Sequence, residues 1–132
     1  MNIKANELSV GNWVMWLGKP CQVDTGILVT EFPFKVDSSK YVKPIRIAEE
    51  FLKSNGFVLD DDINEISEEK YYLLKLDKFT ITIHEGSNTI GRDWWVHIDN
   101  ESCCTIASAD VQYVHQLQNL FNIANVEIDI RL

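Results

Sequence analysis

The clearest alternation of apolar and polar positions lies in the middle of the chain. Phe79, Ile81 and Ile83 alternate with Thr80, Thr82 and His84, and Trp94, Val96 and Ile98 alternate with Trp95, His97 and Asp99. Side chains of a strand project to opposite faces in turn, so both segments predict strands with one buried and one wet face. Tyr71 to Leu76 leads into the first of them across Asp77-Lys78, which predicts a hairpin. Glu85 to Arg92, with Gly86 and Gly91, reads as the loop between the two alternating strands.

The flanks are patterned differently. Trp13-Val14-Met15-Trp16 and Cys21-Gln22-Val23 bracket Leu17-Gly18-Lys19-Pro20, where Gly18 can take a positive φ and Pro20 can open an edge strand. With Gly26-Ile27-Leu28-Val29-Thr30 read as a further strand, residues 1–44 predict a small, strongly bent barrel of SH3-like type. Its exit loop is expected to run from Phe32-Pro33-Phe34 through Asp37-Ser38-Ser39. A short helix follows, with Ala48, Phe51 and Leu52 on one face and Glu49, Glu50 and Lys53 on the other. Gly56 stands where a left-handed residue closes a helix, and Phe57 where the closing residue packs back on Leu52. Near the C-terminus Ser108 is placed to cap a helix whose buried stripe is Val111, Val114, Leu117, Phe121 and Ala124. After Asn125 the period becomes two, with Val126, Ile128, Ile130 and Leu132 against Glu127, Asp129 and Arg131, predicting a last strand in the middle sheet. The expectation is one α+β domain over 1–132: the SH3-like β subregion 1–44, then helix, antiparallel hairpins, C-terminal helix and final strand over 45–132.

Composition narrows the functional classes. A chain of 132 residues with 45% hydrophobic and 24% charged side chains can build a core without disulfides or metal. Its 20 acidic and 12 basic side chains leave a net charge of −8, which repels phosphate backbones. Lys35, Lys40, Lys43 and Arg46, interrupted by Asp37, form no compact basic patch, so direct nucleic-acid binding is not expected. The longest apolar run, Trp13 to Leu17, falls far short of the about 20 residues that cross a bilayer, so no membrane partner is expected. Three cysteines, two of them adjacent, make no disulfide framework and point to a reducing cytoplasm.

Motifs for chemistry fail at named positions. Asp60-x-Asp62-x-Asn64 opens like a calcium loop, but Glu65 stands where glycine is needed and Tyr71 where a bidentate glutamate belongs. Ser67-Glu68-Glu69-Lys70 has the letters of a serine-acylase motif without its partner motifs. Adjacent Cys103 and Cys104 point to opposite faces of an extended chain, and no cysteine or histidine pair has zinc spacing, so neither metal nor cofactor is expected. Two features suit binding instead. Trp13 and Trp16, like Trp94 and Trp95, cannot all face one side of their strands, which makes Trp13, Trp16 and Trp95 candidates for recognition. Gln112, His115, Gln116, Gln118 and Asn119 form an amide-rich helix face that could bond a partner's backbone or anchor neighbouring loops.

Three pieces of the chain, taken in order, resemble a family. They are Glu7-Leu8-x-x-Gly11-Asn12-Trp13-Val14 with Gly18-Lys19-Pro20 and Gln22-Val23, Pro44-Ile45-x-Ile47-x-Glu49-Glu50-x-Leu52-x-x-x-Gly56-Phe57, and Tyr113-Val114-His115-Gln116-Leu117-Gln118-Asn119-Leu120-Phe121. Together they resemble small uncharacterised proteins of gut Bacteroidetes genomes and their phages or mobile elements. The resemblance covers both ends, while residues 58–107 match only as hairpins. It implies an origin and no mechanism. The function expected is a non-enzymatic protein-interaction module, its partner a protein and a homodimer included. The alternatives are a small hydrolase or transferase built on Cys103 or Cys104 with His84, His97 or His115 in hydrogen-bond reach, and an acidic mimic of nucleic acid.

Overall fold

The computed structural model describes residues 3–32, 39–60, 70–85 and 94–132. The expected loops over 33–38 and 86–92, and most of the acidic turn and the Ser67–Lys70 segment, lie outside the described residues. The architecture is α+β, with two antiparallel sheets and few helices. The chain divides into two compact units, Met1–Arg46 with Tyr113–Asn119, and Ile47–Gln112 with Leu120–Leu132.

In the first unit β1 (Trp13–Trp16) pairs with β2 (Lys19–Gln22) across a two-residue turn, and β3 (Val42–Lys43) pairs on the other side of β1. Leu17 and Gly18 take φ of 51° and 79°, the positive pair that a tight hairpin of this twist requires. Pro20 lies on edge strand β2, where its missing N–H costs no ladder bond. Among the described residues these strands make a three-stranded sheet and no closed barrel.

The segment Gly26–Thr30, expected as a strand, is instead helix α1 (Thr25–Glu31). Asp24 decides the matter: its carboxylate accepts the Ile27 N–H at 2.8 Å, satisfying a donor that the first turn leaves without a partner. Ile27 joins Ile3, Val14, Val23 and Val42 in the core of this unit, with Leu8, Trp16, Cys21, Leu28 and Phe32 packed against it.

The second unit begins with α2 (Glu49–Ser54), whose Leu52 is buried. It closes as the sequence predicts: Gly56 has φ 88°, its N–H reaches the Lys53 carbonyl, and the Phe57 N–H bonds the Leu52 carbonyl at 3.0 Å. The five-stranded sheet runs β4 (Val58–Leu59), β5 (Tyr71–Lys75), β6 (Phe79–Glu85), β7 (Trp94–Asn100), β8 (Thr105–Val111), each antiparallel to its neighbour. Ile81, Ile83, Trp94, Val96 and Ile98 are all buried on the inner face, as their alternation predicts.

Ser108 does not cap a helix. It lies in β8, paired with His97, and helix α3 spans Val114–Ile123. The sequence Ala107-Ser108-Ala109-Asp110 has helix-start letters, but ladder pairing to β7 holds it extended. Asn125 closes α3 with φ 57°, while the Val126 N–H bonds the Phe121 carbonyl at 2.9 Å. The predicted last strand is likewise absent: residues 126–132 pair with no strand among the described residues. Val126 and Ile130 are buried, and the Asn55 side chain takes the place of a neighbouring strand for Arg131, accepting its N–H at 2.8 Å and donating to its carbonyl at 2.7 Å.

A candidate interaction surface on the open sheet

The register of the ladder determines what the open face of the second unit displays. Tyr71 lies opposite His84, His84 opposite Trp95, and Trp95 opposite Asp110. The next row is Leu73, Thr82, His97 and Ser108. Residues directly opposite one another share a face, so a band of rings crosses three strands beside Thr82 and Ser108. Tyr71, His84, Trp95 and His97 are all half-buried.

The rings brace one another. Tyr71 and His84 stack with centroids 4.6 Å apart and planes 29° from parallel, and His84 and His97 stack at 6.0 Å and 16°. Trp95 meets His97 edge-on at 5.5 Å and donates its indole N–H to Nε2 of that ring. Rings stacked along the line between strands must stand upright on the sheet. Part of their polar capacity is used within the sheet: His84 Nδ1 lies 3.3 Å from the Glu85 carbonyl, and His97 Nε2 accepts the Trp95 indole N–H. The band is thus a rigid row of rings, apolar in body and polar at its edges.

The amide cluster has a different fate. Within the first unit Gln118 accepts the Trp13 N–H at 2.7 Å and donates to the Gly11 carbonyl at 3.2 Å. Asn119 donates to the Glu7 carbonyl at 2.8 Å and accepts from the Asn12 side chain at 3.0 Å. Gln116 turns back to accept the Tyr113 N–H at 3.1 Å, supporting the first turn of its own helix. These side chains therefore bind the backbone of the chain's own N-terminal loop and helix start. Trp13 is half-buried, and Trp16 is half-buried with its indole N–H on Glu31 at 3.2 Å. Gln112, in the second unit, is half-buried, and its carbonyl accepts the Ile47 N–H at 3.0 Å.

His115 was expected on the polar helix face and is only 1% exposed. Its ring stacks on Tyr113 at 5.9 Å, and neither nitrogen has a hydrogen-bond partner among the described residues. Burial pushes its pKa below the usual imidazole value, and the nearby Glu7 carboxylate opposes that shift. Elsewhere, Glu49 accepts hydrogen bonds from the Tyr72 hydroxyl and from Lys70, which hold its carboxyl below the ordinary range. Burial raises Tyr72 in turn, with the Glu49 hydrogen bond adding to it. Burial and the Asp24 carboxylate push the Cys21 thiol up, while Cys103 and Cys104 are exposed in the β7–β8 turn.

Of the residues expected to bind a partner, Trp95 belongs to the ring band. As site residues, His84 and His97 entered the sequence reading only as histidines for a cysteine nucleophile, and Tyr71 not at all, although the alternation that put Thr82 and Asp99 on the wet face put both histidines there too. Among the described residues no group of three or more histidine, cysteine or carboxylate side chains is placed to hold a metal ion, and no helix is long and apolar enough to cross a membrane. No family model matches this chain, and no curated protein or solved structure matches it.

Proposed function

We propose that this chain is a non-enzymatic interaction module of phage or mobile-element origin, and that it grips a partner protein across the open face of its five-stranded sheet. The observation that carries this reading is the band Tyr71–His84–His97–Trp95. Stacking has already restricted these rings, so binding through them costs less side-chain entropy than ordering free ones. Aromatic groups with polar edges are also the side chains most enriched at recognition surfaces.

The test is a quantitative pull-down comparing the wild-type chain with Trp95→Ala and His97→Ala. Each substitution removes ring contacts of about 0.2–1 kcal/mol apiece, so both variants are first checked to be folded at the assay temperature. Proteins retained by the wild type and lost from both variants are the expected result. An identical retained set for all three chains counts decisively against the reading.

A further inference from the structure

Strand β8 ends the five-stranded sheet. β7 pairs along one side of it, and among the described residues no strand pairs along the other. Thr105, Ile106, Ser108 and Asp110 are exposed. Ala107 and Ala109, on the inner face, are only half-buried, whereas Ile81, Ile83, Val96 and Ile98 on the same face are fully buried. Val111, at the end of the same row, is buried, so the cover over the inner face thins out along β8 from Val111 towards Ala107.

A strand edge carries a row of N–H and C=O groups that will pair with any suitable extended chain, and folded proteins usually block it with lysine, proline or a bulge. β8 has neither lysine nor proline. The pairing skips one residue of β8, Ile106, between the Ile98–Ala107 and Asp99–Thr105 pairs; this bulge lies at the start of the strand and leaves Ala107–Val111 in regular register with Trp94–Ile98. The opposite edge, β4, is two residues long and a much poorer template. Charge then selects the occupant. The β7–β8 hairpin, residues 94–111, contains Asp99, Glu101 and Asp110 and no lysine or arginine.

We propose that the β8 edge is a strand-addition site for an extended segment of a partner protein in which lysine or arginine alternates with small apolar residues. The cations lie on the open face beside Asp110, and the apolar residues on the inner face beside Ala107 and Ala109. Main-chain pairing supplies affinity and the alternation supplies specificity. A second copy of this chain is a poor occupant, because it brings its own Asp110 and its own net charge of −8. The proposal rests on the interaction-module reading and names the partner's chemistry.

The experiment titrates the full, isotopically labelled chain with a short blocked peptide alternating lysine and valine, and with its glutamate–valine counterpart, following amide shifts and hydrogen exchange. The lysine peptide should protect amides within 105–111 and lose affinity as salt rises, and the glutamate peptide should not bind there. Asp110→Asn should weaken binding by about threefold, the size of one exposed ion pair, and Ser108→Lys by at least as much. Equal binding of both peptides, or shifts confined to the ring band, overturns the proposal. So does peptide-free protection of 105–111 that grows with protein concentration, which would assign the edge to a second copy. A Trp95-dependent pull-down without protection of β8 would sink the edge site and leave the interaction reading standing.

Discussion

Asn12 shows how one buried amide can hold a loop together. It is 1% exposed, and every polar atom it has is matched: its side chain accepts the Ser9 N–H and donates to Asn119, and its backbone bonds Ser9 and Val23. Asn12→Asp keeps the shape but sets a carboxylate oxygen against the Asn119 oxygen and buries a charge. A loss of about 2–3 kcal/mol is expected in denaturant unfolding, well beyond an average surface substitution. His115 is the opposite case, a buried ring with no match. The unfolded chain binds a proton as pH drops below the ordinary histidine value of 6.5, while the folded chain resists until its lowered pKa is reached. Stability contributed by the neutral ring is thus complete above that value and is lost as pH falls through the window beneath it. His115→Leu should remove that part of the pH dependence and be no less stable than wild type at neutral pH, as followed by melting temperature against pH.

Helix ends and strand edges carry the next scale of the argument. α2 and α3 close with the same pair of hydrogen bonds, but one has Gly56 in the left-handed position and the other Asn125. A Cβ at position 56 would meet only Leu74 Cδ1, at an ordinary 3.5 Å, so the cost of Gly56→Ala comes from the backbone. That cost is about 1 kcal/mol, whereas Asn125→Gly should stabilise by a fraction of that; the two melting shifts should have opposite signs. The closure at Gly56 was legible because glycine followed by an apolar residue has one economical explanation there. The alternation of β6 and β7 was legible because one face is buried. Alternation misled at 126–132, since it reports which side chains are buried and not whether a neighbour offers a ladder. At Gly26–Thr30 β-branched composition pointed to a strand, but a single capping carboxylate on Asp24 outweighs it. The ring band was only half legible, because the wet face follows from period two while the register that assembles it depends on long-range pairing.

At the scale of the whole molecule, charge dominates. Acidic side chains exceed basic ones by 8, and two close ion pairs, Lys70–Glu49 and Arg131–Asp129, are exposed ones of small individual worth. Self-repulsion of such a surface disfavours the compact state, and salt relieves it within a Debye length of about 10 Å at 0.1 M. The melting temperature should therefore rise by a few degrees from low to moderate salt; a fall would mean that attractive pairs outweigh the net charge.

The first unit is discontinuous in the chain, drawing residues 1–46 together with 113–119. On a ribosome the order of synthesis then matters. The hairpin β1–β2 can form as soon as it emerges, but the amides of Gln118 and Asn119 that tie down Glu7, Gly11 and Trp13 arrive only after all of β4–β8 has been made. Until then Asn12 has its local bonds but lacks its distant one. The early segment waits, partly satisfied, while everything between Trp13 and Gln118 is made. A long closure of this kind slows folding more than it weakens the folded state.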